Sequence, residues 1–563
     1  MLQGLPVSPG IAVGRAFLVR FGGMPAFRRA MPPGALEDED RRLRRASRRA
    51  AEDFRQQSKG ASGEMSSELA AILEAHGMIA ADETFLDAVL DRMRRERVNA
   101  EWALAAVARD YELRLAASDS SAMRERAADI AHVTREIARH LTGGGAPVPE
   151  PPRGSILVAD ELSPVDAARL DPRRVRGLAL ERGGATSHAS IIARSFGLPA
   201  VVGIAGLLET VSAERPIVVD GDRGVVDSSP SKERLRKSLL RVREARERNR
   251  RLRARTTGAA ATRDGVRIVV RANLELLEEI PALERHHAEG IGLFRSEFLY
   301  LQAAPAKPGI EEQRDAYEKL LLAAHPHPVV VRTYDLGGEK GIGPAPDENP
   351  ALGLRGLRYC LAHPEIFEAQ LTALCLASKR GELRILLPMV TTLSELQAAR
   401  QYLVAAAAVA GLARPPALGV MIEVPAAALL ASRLATAADF FSIGTNDLAQ
   451  YALAVDRANP DVSALFRPLH PSILQMIKWV VEAGAALARP VAICGEMAAD
   501  PLGIGALVGL GIREVSVTPV AIAGVKEALS SMDSQRAAML AEKALLLSEA
   551  AETERLFRGL AQD

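Results

Sequence analysis

The sequence predicts a multidomain α/β chain: a small β/α domain interrupted by a helical bundle, then a closed (β/α)8 barrel of the TIM type. Three observations carry this expectation. From residue 260 onward, eight short apolar runs alternate with helical stretches. Residues 36–141 are rich in Ala, Leu, Glu and Arg, with little proline and apolar residues at helical spacing. Strand-like runs lie on both sides of that segment.

Residues 1–20 read as a short strand pair, punctuated by Gly10 and Gly14. The segment after them shows the helical spacing in Leu69, Ile72 and Leu73 and again in Leu86, Val89, Leu90 and Met93, which predicts about four helices. Three glycines and four prolines between Gly143 and Pro152 break the pattern. Strand signals resume at Ser155–Ala159, Leu178–Leu180, Ala200–Val202 and Pro216–Asp220. The expected organisation is therefore an α/β domain from residues 1–20 and 146–229, a helical unit at 21–145, a linker helix at 230–259 and a barrel at 260–563.

Within the linker, residues 232–255 hold 12 Lys/Arg against 3 Glu, a net +9, with no glycine or proline. An exposed, solvated helix is the expectation, because no aromatic or base-reading motif accompanies the charge. The barrel strands are expected at Arg267–Asn273, Ile291–Phe294, Val329–Tyr334, Leu383–Pro388, Leu418–Glu423, Phe440–Ile443, Val491–Cys494 and Glu514–Val517. A doubly wound open sheet is the alternative, but no GxGxxG opens a helix after a first strand. The glycines from Gly503 to Gly511 read as a helix-packing segment.

At 563 residues the chain is too long for one core. Hydrophobic residues are 48% and charged residues 25%, an ordinary globular balance, and a net charge of +1 gives no field that points to nucleic acid. No apolar span is long enough for a membrane helix, and the N-terminus has no leader pattern. Cys360, Cys375 and Cys494 fit neither a disulfide framework nor a CxxC zinc site, so a reducing cytoplasm is expected.

The chemistry begins at Gly183–Arg194, where His188 follows a glycine pair and the hydroxyls Thr186 and Ser187 at the start of a small-residue helix. Glycines admit close backbone approach, and a helix N-terminus favours an anion, so this is a way to present an imidazole to a phosphoryl group. A second set of polar residues stands at the C-terminal ends of the expected barrel strands, where barrel active sites lie. It comprises Arg295 with Ser296 and Glu297, Arg332 with Asp335, Glu423, the run Gly444–Asp447, and Cys494 with Glu496. Arg295, Arg332 and Arg457 offer planar forks suited to phosphate and carboxylate, with Arg355 and Arg358 as further candidates. Glu423 and Asp447 are hard oxygen donors suited to Mg²⁺. Cys494 is a candidate proton donor, with a buried apolar role as the alternative. No GxxxxGK[ST] is present, which argues against a P-loop nucleotide site.

These stretches resemble enzyme I of the phosphoenolpyruvate-dependent sugar phosphotransferase system. The likeness rests on GLPVSPGIAVGRAF at 4–17, GGATSHASIIARSFGLPAVVG at 183–203, GIGLFRSEFLY at 290–300, RTYDLGGEK at 332–340, NPALGLRGLR at 349–358, MIEVPAA at 421–427, DFFSIGTNDLAQYALAVDR at 439–457 and CGEMAADP at 494–501. It covers essentially the whole chain in the family's domain order. The resemblance implies a swivelling phosphohistidine domain with His188 phosphorylated by phosphoenolpyruvate. It implies that Arg295, Arg332, Asn446, Asp447 and Arg457 hold the substrate, assisted by Lys340 and Arg358, that Glu423 and Asp447 hold Mg²⁺, and that Cys494 protonates the enolpyruvate carbon. The helical unit would dock a small HPr-type histidine phosphocarrier, with His76 and Met78 on the docking surface, and the barrel would form a homodimer. Neither nucleic acid nor membrane insertion is expected. Glu339 stands where the family often has aspartate, and the loop 341–346 looks shorter than in many relatives. Two other classes compete: a phosphoenolpyruvate-sensing protein with a degenerate barrel, which should have lost His188, Arg332, Glu423 or Cys494 and has not, and a nucleic-acid binder working through residues 232–255.

Overall fold

The computed structural model describes all residues except 21–25, 61–75, 117–129, 131–132, 144–149, 163–173, 185–187, 304–306, 338–348, 458, 460 and 561–563. The chain divides into two compact units, Met1–Arg194 with Leu198–Val242 and Ser195–Gly197 with Arg243–Asp563.

The first unit is built on strands β1 (Leu2–Gln3), β2 (Leu5–Ser8), β3 (Ile11–Arg20), β4 (Ala26–Phe27), β5 (Ser155–Ala159), β6 (Val175–Leu180), β7 (Ala200–Val202), β8 (Pro216–Asp220) and β9 (Val225–Asp227). They run in the order β1-β9-β8-β3-β5-β6-β7-β2, with β4 on the side of β3. The steps β3–β5–β6–β7 are parallel, which suits their continuous apolar runs: every residue of β5 is buried. Residues 1–20 thus form three strands rather than a pair. The sheet also takes Ala26–Phe27 from the segment read as helical, because Phe27 stacks on Phe17 at 4.9 Å and pairs with Val19.

The helices Leu36–Gly60, Glu83–Glu96 and Ala100–Ala116 pack around Trp102, Phe54, Leu90 and Met93, all almost fully buried. Glu83–Glu96 starts where Asp82 accepts from the Thr84 N–H at 2.8 Å and stops at Arg97, which turns left-handed.

The second unit is a closed barrel. Its strands are β11 (Arg267–Leu274), β12 (Ile291–Arg295), β13 (Val329–Arg332), β14 (Leu383–Leu387), β15 (Ala417–Ile422), β16 (Phe441–Ile443), β17 (Val491–Ile493) and β18 (Glu514–Val517), preceded by the short hairpin strand β10 (Ala260–Ala261). Each pairs in parallel with the next, and β11 closes on β18 through Val269↔Glu514 to Ala272↔Val517. Leu293, Val330, Leu386, Met421, Phe440 and Cys494 form a separate buried cluster. Gly419 makes room for one of them: a Cβ there would stand 2.4 Å from the Phe440 ring. Outside, the helix Pro501–Gly509 packs on Ser534–Ala544, and a Cβ on Gly509 would meet the Ala537 carbonyl at 2.3 Å, which is the packing role expected of that glycine run. The helix Lys232–Arg255 has no buried residue, as its charge predicts.

Candidate active site

The loops after the barrel strands gather the polar residues at one rim. Arg295 and Arg332 end adjacent strands and are register partners, so two guanidinium stems start side by side. Each has its own carboxylate. Glu275, just past β11, pairs with Arg295, and Glu297, just past β12, pairs with Arg332. Asp335 adds a second contact to Arg332 at 3.3 Å. Burial works against the charge of both arginines. The facing carboxylates outweigh it, so both stay firmly cationic.

Arg355 reaches the centre of this rim. Gly337, at φ +90°, pairs with it across an isolated bridge, and a Cβ on Gly337 would fall 2.0 Å from the Leu354 carbonyl oxygen. The Arg355 fork donates to both oxygens of Asp335, to Asp447 Oδ2 at 3.1 Å and to the Tyr451 hydroxyl at 3.2 Å. Arg358, one turn further on, is half-buried, and no rim carboxylate among the described residues pairs with it. Of the two further candidates, Arg355 joins the rim carboxylates, because the bridge at Gly337 fixes residue 355 beside Asp335, while Arg358 stands one turn beyond.

Glu423 and Asp447 are both buried. Burial and then the Asp447 charge raise the proton affinity of Glu423. Burial also disfavours the Asp447 carboxylate, but Arg355 and Arg457 overcome this and hold its pKa below the usual range. Glu423 Oε1 accepts from the Met389 N–H at 2.7 Å. A Cβ on Gly444 would lie 3.3 Å from Glu423 Oε2, so glycine keeps that side open. Arg457 Nη2 pairs with Asp447 Oδ1 at 3.0 Å, and among the described residues that buried oxygen accepts no aligned hydrogen bond. Two neighbouring buried carboxylates are a donor set that fits a hard divalent cation.

Cys494 is 5% exposed, and burial pushes its thiol up to about 11, so it holds its proton at neutral pH. Its Sγ lies 3.6 Å from the Ile443 carbonyl, and Asn273 donates to the Cys494 carbonyl at 3.0 Å. Both readings of this cysteine meet here: it belongs to a buried apolar cluster and sits at a strand end of the charged rim. Asn446 accepts from the Glu496 N–H at 3.1 Å, which ties the loops after β16 and β17 together.

In the first unit, His188 opens the helix His188–Ser195. Gly183 precedes it at φ +120°, a conformation that requires glycine, and Ser190 donates to the Gly184 carbonyl at 2.8 Å. Thr186, Ser187, Lys340, Glu339 and the loop 341–346 lie outside the described residues, as do Leu69, Ile72 and Leu73. His76 is corrected. It is 7% exposed and stacks edge-on against Phe54 at 5.5 Å, because residues 76 and 80 share the inward face of their helix. Met78 points outward at 71% exposure.

The sequence reading missed the charge partners. Glu275 lies in none of the motifs, and Glu297 and Asp335 stand in the sequence as rim residues without a partner assignment; the one available signal is that an excess of arginines at one rim demands buried carboxylates.

Comparison with known proteins finds relatives along the whole chain. Family models match residues 3–126 as a PEP-utilising enzyme N-terminal domain, 151–224 as its mobile domain and 249–534 as its PEP-binding domain. The phosphoenolpyruvate-protein phosphotransferase of Cupriavidus necator is 36% identical over 581 residues, covering 100% of this chain and 99% of that one. Its counterpart in Bacillus subtilis is 34% identical and covers 98% of each chain. A multiphosphoryl transfer protein of Rhodobacter capsulatus is 40% identical across 79% of this chain and 54% of its own length.

Proposed function

The chain belongs to the phosphoenolpyruvate-protein phosphotransferase family, and from that membership we propose that it moves the phosphoryl group of phosphoenolpyruvate to His188 and then to a histidine on a small HPr-type phosphocarrier, releasing pyruvate. The observation that supports this best is the convergence of Arg295, Arg332, Arg355 and Arg457 with Glu423, Asp447 and Cys494 on one barrel rim.

Phosphoryl transfer depends on positioning and charge neutralisation. Arg295 and Arg332 each spend part of their fork on a carboxylate and keep donors for the substrate. Arg457 and Asn446 would complete the grip, with Lys340 and Arg358 as assisting cations. Glu423 and Asp447 would hold Mg²⁺, which supplies positive charge to phosphoryl and carboxylate oxygens. The neutral His188 imidazole attacks phosphorus, the N–P bond forms, and the bond from phosphorus to the enol oxygen breaks. Cys494 gives its proton to the methylene carbon of the departing enolate, yielding pyruvate, and the thiolate regains a proton from solvent.

His188 and the rim belong to different units. The histidine must serve both the rim and the carrier, so we assign it to a swivelling domain, with the helix Lys232–Arg255 as the connecting element. Met78 is the exposed docking residue we retain. A homodimer through the barrel and a cytoplasmic location complete the proposal. No described helix is long and apolar enough to cross a membrane.

The test is incubation with phosphate-labelled phosphoenolpyruvate and Mg²⁺, comparing wild type with His188→Ala. Acid-labile, base-stable label on wild type alone is expected. Absence of label on folded wild type would overturn the reading and favour a phosphoenolpyruvate-sensing barrel.

A further inference from the structure

Two cations on adjacent strand ends repel one another, so something must hold the backbone beneath them. Behind Arg332 lies a buried polar network that none of the chemistry above uses. Its hub is Gln370, fully buried on the helix Pro364–Ala377. The Gln370 amide oxygen accepts from the Tyr334 N–H at 3.0 Å. Its amide nitrogen donates to Ser296 Oγ at 2.8 Å and to the Tyr317 hydroxyl at 3.1 Å. Ser296 Oγ in turn donates to the Arg332 carbonyl at 2.7 Å.

A serine hydroxyl has one proton. When Gln370 donates to a lone pair of Ser296, that proton is directed to Arg332. A single side-chain amide thus grips the peptide run on both sides: the carbonyl of residue 332 through Ser296, and the N–H of residue 334 directly. Because Ser296 also follows Arg295 in the chain, the same amide ties together the ends of β12 and β13. Every one of these groups is buried, so an amide lost here leaves donors and acceptors that water cannot satisfy.

We infer that Gln370 is a positioning residue for phosphoryl transfer, clamping the 332–334 backbone through Ser296 and Tyr334 so that the Arg295 and Arg332 guanidinium groups stay aligned. The inference rests on the proposed role of those arginines in binding phosphoenolpyruvate.

Full-length Gln370→Leu and Gln370→Glu test it. Leucine keeps the volume and removes all three hydrogen bonds. The rate of His188 labelling per folded molecule should fall about 10- to 100-fold, with the KM for phosphoenolpyruvate changed less than about threefold, since misplacement near 1 Å carries losses of that order. Gln370→Glu should recover most of the rate at low pH, where a protonated carboxyl donates to Ser296, and lose it as the carboxyl ionises, a profile wild type does not share. A crystal structure of Gln370→Leu should show the Arg332 guanidinium displaced from Glu297 and Asp335. Wild-type rate per folded molecule in Gln370→Leu, a Gln370→Glu pH profile parallel to wild type, or an unmoved Arg332 would each overturn the inference. If wild type itself takes no label, the proposed function fails, and the position of Arg332 in the Gln370→Leu structure decides the clamp by itself.

Discussion

Arg355 holds Asp335 in a bidentate pair, Nε to Oδ1 at 3.1 Å and Nη2 to Oδ2 at 2.8 Å. The same Nη2 reaches Asp447, so one guanidinium joins the loop after β13 to the helix after β16. Replacing Arg355 by Met removes the shared cation from two buried carboxylates. Breaking a buried pair costs about 3–5 kcal/mol, and Arg332 and Arg457 remain to limit the loss to the lower end. Arg355→Met should lower the chemical denaturation midpoint and cut the labelling rate at least about 100-fold. Lysine should not rescue it, because a point charge cannot supply the fork.

Cys494→Ala should leave folding nearly unchanged, since a small buried side chain is replaced by another. Phosphorylation of His188 and pyruvate release should slow together, by about 10²–10⁴-fold, the range of a lost general acid. Rapid-quench measurement of labelled enzyme and of pyruvate checks this. An unimpaired rate would return Cys494 to a purely apolar role.

Glu423→Gln preserves an acceptor for the Met389 N–H and removes the charge. Mn²⁺ binding, followed by electron paramagnetic resonance as a probe for the Mg²⁺ site, should weaken at least about tenfold, as expected when one of few charged oxygen ligands is neutralised. Chelation of divalent ions should stop labelling of wild type, and added Mg²⁺ should restore it.

His286 supplies a pH dependence. Burial, then the charges of Arg253, Arg285 and His287, lower its pKa from 6.5 to about 4. Between those values the unfolded chain binds more protons than the folded one, so stability rises with pH across the window and is lost as pH falls through it. The thermal midpoint of wild type should drop on going from pH 7 to pH 5, and His286→Gln should flatten part of that drop.

Met78→Glu places a charge on an exposed apolar residue of the helical unit. Self-phosphorylation should be unchanged while transfer to an HPr-type carrier weakens. Equal loss of both steps would remove Met78 from the docking surface.

The barrel was legible because its signal is local. Each strand is a short apolar run, each helix a periodic stretch, and parallel closure puts every strand's C-terminal residue on one rim wherever its partners sit. Arg295, Arg332, Glu423, Asp447 and Cys494 could therefore be assembled by reading strand ends alone. The motif at His188 was legible for the same reason, since glycines, hydroxyls and a helix start are neighbours in the chain. What the tertiary structure decided is pairing across distance. Glu275 neutralises Arg295 from 20 residues away, and Arg355 meets Asp447 across 92. Gln370 serves Ser296 from 74 residues away. Such partners share no periodicity. They are chosen by which side chains burial brings within reach, and the cost of an unpaired buried charge, not any local propensity, selects them. The same burial turned His76 inward while leaving Met78 outside.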